Sequence, residues 1–190
     1  MNHSQVFYLR LAGIGGLGVV HLTTTIASAA VKAGVPVSVI DRPRSAMRLG
    51  PITCDVCFGQ EEFAPFIVPG EADAVLGMEP LDGVMNAAYL LKPNGILVLQ
   101  VQPTHTIEDV LSGTEDARRI QWKEQIEARG GCVVTAEPSD VTGICRNYYM
   151  LGVLMKVCPE IPVSEEDILH VLNGQEDNIA AFRQGMSALN

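Results

Sequence analysis

Residues 6–18 read Val-Phe-Tyr-Leu-Arg-Leu-Ala-Gly-Ile-Gly-Gly-Leu-Gly, an apolar run of strand-forming residues that leads directly into a glycine-rich turn. The residues that follow place apolar side chains at helical spacing as far as Gly34, which has the position of a helix C′ cap. Residues 35–40 return to a strand-like pattern that ends on Asp41. The order strand, glycine turn, helix, strand predicts a βαβ unit whose two strands form a parallel pair.

The same alternation of strands and helices continues along the rest of the chain. It predicts strands at residues 53–58, 72–78, 96–101 and 132–136, and helices at 81–91, 115–129, 144–157, 164–172 and 178–188. Residues 42–51, with two prolines and three arginines, are predicted to form a loop. The pattern predicts an α/β fold: a doubly wound, mostly parallel sheet with helices on both faces and a helical C-terminal stretch. Since no repeat or linker divides the chain, residues 1–190 are expected to form a single domain.

Composition excludes several classes of partner. The 190 residues include 13 Lys and Arg against 22 Asp and Glu, a formal net charge of -9. Such a surface repels nucleic acid and anionic lipid, so neither is expected to bind. The apolar N-terminal stretch lacks the basic start of an export signal, and no segment has the roughly 18 uninterrupted apolar residues that would span a bilayer. Five scattered cysteines do not suggest a disulfide framework, so the expected location is the cytoplasm.

The turn formed by Gly13, Gly15, Gly16 and Gly18 is the leading candidate binding site. It satisfies G-x-G-x-x-G between a strand and a helix; its glycines permit close approaches that a Cβ would block, and the N–H groups at the helix start favour an anion. With Asp41 as the acid that binds ribose, the pattern fits a dinucleotide site. The alternatives are a turn that only permits tight strand-to-helix packing, or one that docks a partner's loop or phosphate. No second βαβαβ half and no catalytic acid or base accompanies the motif.

The pair Cys54 and Cys57 forms a C-x-x-C within a strand-like run. Residues three apart in a strand project from opposite faces, which works against chelation of a metal ion. Structural cysteines are therefore expected, with a redox pair or metal site as the alternative.

Polar residues at two other places are candidate ligand positions. Arg42, Arg44 and Arg48 form the only basic cluster, and their guanidinium groups suit a phosphate or carboxylate; the alternative is a solvated loop. Arg146 and Asn147 begin a largely apolar helix, where a site or interface role is favoured over a simple cap. No nucleophile elbow, Walker lysine or paired carboxylates are recognisable, so no catalytic residue is assigned.

Several motifs follow one another in a fixed order between residues 13 and 185. They are Gly13-Ile-Gly-Gly-Leu-Gly-Val19, Met47-Arg-Leu-Gly50 leading into Cys54-Asp-Val-Cys-Phe-Gly59, Ile67-Val-Pro-Gly-Glu-Ala-Asp73, Leu76-Gly-Met-Glu-Pro-Leu81, Arg146-Asn147, Met150-Leu-Gly-Val153, Pro162-Val-Ser-Glu-Glu-Asp-Ile168 and Ala181-Phe-Arg-Gln-Gly185. Together they resemble the gamma subunit or gamma domain of the 2-oxoacid:ferredoxin oxidoreductases. A chain of this size is most similar to the beta subunit of indolepyruvate ferredoxin oxidoreductase, with pyruvate and 2-oxoglutarate relatives as alternatives. One departure is Arg48-Leu49-Gly50-Pro51, where the family commonly has Arg-Gly-Gly, so this loop is bulkier and stiffer.

The resemblance implies a role in a larger enzyme. Such complexes decarboxylate a 2-oxoacid, here indolepyruvate or another aryl pyruvate, on thiamine diphosphate, pass electrons through [4Fe-4S] clusters to ferredoxin, and release an acyl-CoA with coenzyme A as cosubstrate. It implies that thiamine diphosphate, Mg²⁺ and the clusters belong to a larger partner subunit, and that this chain is inactive alone. The implied ligand or interface positions are the four glycines of the turn, Arg48 and Asn147, and no metal site is expected on the chain.

Two other functions remain open at this point. One is an independent NAD(P)-dependent oxidoreductase that uses the glycine turn and Asp41. The other is a small acidic scaffold that has left the ancestral complex.

Overall fold

The computed structural model describes residues 6–43, 50–59, 66–101, 115–138 and 145–188. Strands and helices alternate through these residues. The strands are β1 (Phe7–Ile14), β2 (Val37–Pro43), β3 (Pro51–Phe58), β4 (Ala72–Gly77), β5 (Leu91–Gln100) and β6 (Cys132–Ala136). The helices are α1 (Val19–Lys32), α2 (Pro80–Leu90), α3 (Glu115–Ala128), α4 (Arg146–Val157), α5 (Glu165–Val171) and α6 (Glu176–Ser187).

The strands form one mixed sheet in the order β2-β3-β1-β4-β5-β6. Strands β1, β4, β5 and β6 pair in parallel, whereas β3 runs antiparallel to both of its neighbours. The predicted α/β class with a mostly parallel sheet is therefore confirmed. The prediction that β1 and β2 form a parallel pair is wrong, because β3 lies between them. Residues 53–58 of β3 are all buried, and a strand covered on both faces is stable as an inner strand of the sheet.

Alternating residues of the inner strands fill two separate cores. Leu76 of β4 and Val98 of β5 pack with α1, α4, α5 and α6 on one face. Val75 and Leu97 face the other way and pack with α2 and α3. Since successive side chains of a strand point to opposite faces, these neighbours confirm that helices cover both faces of the sheet. The helical C-terminal stretch, from Arg146 onward, lies on the face that carries α1.

Three strand boundaries differ clearly from the sequence prediction. Strand β2 continues to Pro43 and β3 begins at Pro51, so the predicted loop at 42–51 is shorter at both ends. Proline lacks an N–H, but β2 is an edge strand and Pro51 is the first residue of its strand, and both positions tolerate it. Strand β5 begins at Leu91 rather than at residue 96, and residues 92–95 form a bulge opposite a single residue of β4.

The ends and crossings of the helices depend on glycine at a few positions. Gly34, with a φ of 72°, follows α1 as predicted, and the N–H of the next residue bonds to the carbonyl oxygen of Ala30. Where α4 crosses α6, a Cβ on Gly185 would overlap the carbonyl oxygen of Tyr149. The two helix backbones therefore lie in direct contact.

Within the described residues, no helix has both the length and the apolar character needed to cross a membrane.

Candidate functional site

The glycine turn lies where the strand order of the sheet changes direction. From β1 the chain passes through α1 to β2 on one side, whereas β4 and β5 lie on the other side. In open α/β sheets, ligands bind beyond the carboxyl ends of the strands at such a point. The N–H of Met78, which follows β4, donates to the carbonyl oxygen of Ala12 at 2.7 Å. The carboxyl end of β4 therefore lies beside the residue that precedes the glycine turn.

Three glycines of the turn have a stereochemical reason to be glycine. A Cβ on Gly13 would come within 3.0 Å of the Met78 side chain and 3.1 Å of Val19. Gly16 and Gly18 have φ angles of 102° and 75°, which side chains disfavour. Gly18 is also the N-cap of α1, which has no side-chain cap and no acidic residue in its first turn. The N–H groups of that turn therefore have no capping side chain, an arrangement that favours an anion.

Asn147, at the start of α4, lies directly against this turn. It is 1% exposed, and a Cβ built on Gly18 would lie 2.7 Å from its Nδ2. Its Oδ1 accepts the N–H of Tyr148 at 3.0 Å, whereas its Nδ2 finds no hydrogen-bond acceptor in the structure as described. A buried donor left unpaired costs about 1–3 kcal/mol. The structure thus brings together the glycine turn and Asn147, two predicted site elements that are far apart in the sequence. Within the described residues, the Nδ2 of Asn147 is left without an acceptor.

Tyr148 fixes the contact between α1 and α4 next to the turn. Its hydroxyl lies 3.0 Å from the hydroxyl of Thr25, and burial raises the pKa of the tyrosine. The exposed ring of His21, in the first turns of α1, packs edge-on against the same ring with 6.0 Å between centroids. Tyr148 is fully buried, its hydroxyl pairs with Thr25, and its backbone N–H donates to the side chain of Asn147. These contacts restrain Asn147.

In the described residues, the segment 42–51 that contains the arginine cluster contacts the glycine turn near its C-terminal end. The N–H of Gly15 donates to the carbonyl oxygen of Gly50 at 2.9 Å. Arg44 and Arg48 lie outside the described residues. Arg42 does not join the glycine turn: its Nη2 binds Asp55 at 2.9 Å.

Sequence reasoning missed the ion network to which Arg42 belongs. Arg10 of β1 donates from Nε and Nη2 to the two carboxylate oxygens of Asp55, which is fully buried in β3. The Nη1 of Arg10 donates to the side chain of Asn86 in α2 at 2.7 Å. The available signal was one charged residue within each of two otherwise apolar strands, and their register pairs Arg10 with Asp55. The network ties β2, β3, β1 and α2 together.

The position of Asp41 does not suit a dinucleotide. Asp41 is opposite Cys54 of β3, which is opposite Leu11 of β1. Strands are spaced about 4.8 Å apart, so Asp41 lies roughly 10 Å from β1. In dinucleotide-binding folds the acid that binds ribose ends the strand that neighbours the glycine turn, and here β3 has taken that place.

The C-x-x-C residues are separated by the sheet. Cys54 packs in the core on the α1 face, and the strand alternation directs Cys57 to the opposite face, as predicted. Burial is the main cause that raises the pKa of Cys54 to about 12, so its thiol stays protonated and is a poor metal ligand. Among the residues that the structure describes, no three His, Cys, Asp or Glu side chains form a group able to hold a metal ion. These residues do not fit an iron–sulfur cluster.

Comparison with known proteins links this geometry to a family. The model of the pyruvate ferredoxin/flavodoxin oxidoreductase family matches residues 8–188. Indolepyruvate oxidoreductase subunit IorB of Thermococcus kodakarensis is 24% identical over 190 residues, covering 94% of this chain and 93% of the relative. Its namesake in Pyrococcus horikoshii is 25% identical over 192 residues, with the same coverage.

Two solved structures share the fold. Pyruvate oxidoreductase subunit PORC of Thermotoga maritima superposes with a TM-score of 0.65 at 20% identity, covering 97% of this chain and 95% of the other. The 2-oxoglutarate:ferredoxin oxidoreductase of Magnetococcus marinus, solved with 2-oxoglutarate, coenzyme A and succinyl-CoA bound, gives a TM-score of 0.69 at 17% identity. That match covers 98% of this chain but 32% of the other, so the fold forms about a third of a longer polypeptide there.

Proposed function

Because the chain belongs to the pyruvate ferredoxin/flavodoxin oxidoreductase family, we propose that it is the small subunit of a cytoplasmic 2-oxoacid:ferredoxin oxidoreductase that acts on indolepyruvate or another aryl pyruvate. The family match confirms the resemblance found in the sequence and makes the chain an oxidoreductase subunit. The names of the two archaeal relatives, which match over nearly their whole length, support the aryl pyruvate class. All five cysteines are free, which is consistent with a reducing compartment.

In this proposal the cofactors of decarboxylation and electron transfer belong to a larger partner subunit. Thiamine diphosphate supplies the decarboxylation, and Mg²⁺ and [4Fe-4S] clusters accompany it in the partner, from which electrons reach ferredoxin. This is supported by the Magnetococcus marinus enzyme, in which about two thirds of the polypeptide lies outside the fold shared with this chain. The isolated chain is therefore expected to turn over no 2-oxoacid.

The contribution of this chain is to hold coenzyme A, whose acylation completes the reaction. The observation that carries this step is the buried Nδ2 of Asn147 beside the uncapped first turn of α1. A phosphate group of coenzyme A would accept hydrogen bonds from that amide and from the N–H groups of the turn, and no first-turn carboxylate of α1 repels it. Arg48 adds a positive charge from the neighbouring segment in this proposal, and Gly13, Gly15, Gly16 and Gly18 keep the backbone close to the ligand.

Substituting Asn147→Asp in the assembled complex tests this function. The change keeps the shape and the oxygen that accepts from Tyr148 but replaces the free donor with a negative charge. The KM for coenzyme A is expected to rise by about 10- to 100-fold, the equivalent of losing one hydrogen bond to a charged group, while the KM for the 2-oxoacid stays unchanged. Asn173→Asp, at an exposed position after α5, is the matched control.

Three results would contradict the proposal. An unchanged KM for coenzyme A in Asn147→Asp would remove the ligand assignment. Oxidation of an aryl pyruvate by the isolated chain would remove the role of the partner. Stoichiometric binding of NADH to the isolated chain would favour an independent oxidoreductase instead.

A further inference from the structure

One part of the sheet lacks a helical cover in the described residues. On the face that carries α2 and α3, these helices contact β1, β4, β5 and β6, and β2 and β3 make their main helix contacts with α1 on the other face. The extended segment at residues 66–68 lies on this side of the sheet, since the ring of Phe66 stacks on the guanidinium of Arg42, 4.9 Å from its centroid. Ile67 points inward and is 6% exposed, whereas Phe66 and Val68 are 58% and 52% exposed. Two large apolar side chains therefore face solvent together.

The charge next to these side chains is positive. Two guanidinium groups, of Arg10 and Arg42, share the single carboxylate of Asp55, and both of its oxygens are already occupied. The Nε of Arg42 is buried without a hydrogen-bond acceptor in the part of the chain that the structure describes, although 36% of its side chain is exposed. Among the described residues, this network thus carries one more positive than negative charge beside Phe66, on a chain whose net charge is -9.

We propose that Arg42, Phe66 and Val68, termed here the Phe66 surface, form the docking site for the larger subunit of the complex. The docking segment of that subunit presents a carboxylate to Arg42 between apolar side chains that cover Phe66 and Val68. The inference rests on the proposed function, since it names where the partner of that function binds.

Charge complementarity selects this occupant. An acidic segment is repelled by most of this chain but attracted at the Phe66 surface, so it finds one orientation. A second copy of this chain, docked through the same surface, would bring two unbalanced arginines together. Aromatic residues and arginine are also enriched at the centres of protein interfaces, where they contribute most of the binding energy.

The chain offers a matched control on the opposite face of the sheet. Val31, near the end of α1, is 69% exposed. Val31→Ser and Val68→Ser therefore remove the same apolar group from surfaces of similar exposure on opposite sides. Phe66→Ser and Arg42→Gln complete the set, and circular dichroism of each variant establishes that it is folded.

The experiment measures the dissociation constant between this chain and the purified larger subunit by calorimetry. Phe66→Ser is expected to weaken binding by at least about tenfold, Val68→Ser by less, and Val31→Ser not at all. Arg42→Gln is expected to weaken binding and to flatten its dependence on salt, because a charge pair is lost.

Each other result has a distinct meaning. If the wild-type chain binds and Phe66→Ser and Val68→Ser bind equally well, the Phe66 surface is not the docking site, but the proposed function stands. If the wild-type chain does not bind the larger subunit at all, the proposed function fails and the docking inference fails with it. If sedimentation detects a homodimer that Phe66→Ser dissociates, a second copy is the occupant and the assignment to the larger subunit is overturned.

Discussion

The packing of Asn147 against the glycine turn gives a stability prediction with an internal control. Gly16 and Gly18 both have positive φ angles, so alanine strains the backbone at either position. They differ in what a new methyl group meets. Nothing lies within 4 Å of a Cβ on Gly16, whereas a Cβ on Gly18 would be 2.7 Å from Nδ2 and 3.4 Å from Cγ of Asn147. Comparing Gly16→Ala with Gly18→Ala therefore separates backbone strain from the contact between α1 and α4.

The expected magnitudes follow from these two effects. Left-handed backbone costs an ordinary residue about 1–2 kcal/mol, and this is the whole expected loss in the free energy of unfolding for Gly16→Ala. Gly18→Ala also displaces Asn147 and disturbs its buried hydrogen bond to the N–H of Tyr148, which adds about 1–3 kcal/mol. The total for Gly18→Ala is therefore about 2–5 kcal/mol.

Urea unfolding followed by circular dichroism at 222 nm measures both losses. A double-mutant cycle with Asn147→Ala sharpens the comparison, since removing the amide removes the clash. In the Asn147→Ala background, Gly18→Ala is expected to lower the free energy of unfolding only by the backbone strain, as Gly16→Ala does. Equal losses for the two glycine variants, or a Gly18→Ala loss that Asn147→Ala leaves unchanged, would refute the argument that this contact holds the turn.

Three further predictions concern the sheet, the helix crossing and the buried thiol of Cys54. Asp55→Asn leaves two guanidinium groups without a carboxylate and is expected to lower the free energy of unfolding by about 3–5 kcal/mol in urea titrations; a loss under 1 kcal/mol would contradict the network. Gly185→Ala places a methyl group on the carbonyl oxygen of Tyr149 and is expected to cost about 1–3 kcal/mol by calorimetry, whereas an unchanged melting temperature would show that the helices can separate freely. The pKa of Cys54 is about 12 in the folded chain and near 8.5 when unfolded, so its contribution to stability is complete below about pH 8.5 and is lost as pH rises towards 12. The urea midpoint should fall between pH 8 and 10 less steeply in Cys54→Val than in the wild-type chain, and parallel curves would exclude that contribution.

Local sequence patterns were sufficient for the elements around the glycine turn. Strand β1, the turn and α1 are each determined by neighbouring residues: an apolar run, glycines at positive φ, and apolar positions at helical spacing up to Gly34. The class of the fold follows from repeating such elements. The position of β3 does not follow, because it depends on which strands cover its two edges, and only long-range pairing decides that.

The same distinction separates the site residues. The glycines and Asn147 were each recognisable as unusual, the glycines by their motif and Asn147 as a polar residue at the start of an apolar helix. Their contact depends on how α4 packs on α1, which no local pattern encodes. For Arg42 the sequence pattern was misleading. Its place in a cluster of arginines suggested a ligand position, but in the structure it pairs with the buried carboxylate of Asp55, since a buried charge needs a partner.

The glycine motif itself illustrates what such a pattern can and cannot specify. Its physical content is a backbone that approaches closely and N–H groups directed at an anion, and any phosphate-bearing ligand satisfies both. The discrimination between ligands comes from the neighbouring elements. In this sheet the strand beside β1 is β3, so the acid that would select a ribose lies a full strand too far away, at Asp41. The group that takes a place beside the turn is instead the amide of Asn147, a donor rather than an acceptor. A turn flanked by a donor selects for anionic oxygen over a sugar hydroxyl pair, and this is why one motif serves coenzyme A here in our proposal and dinucleotides in other folds.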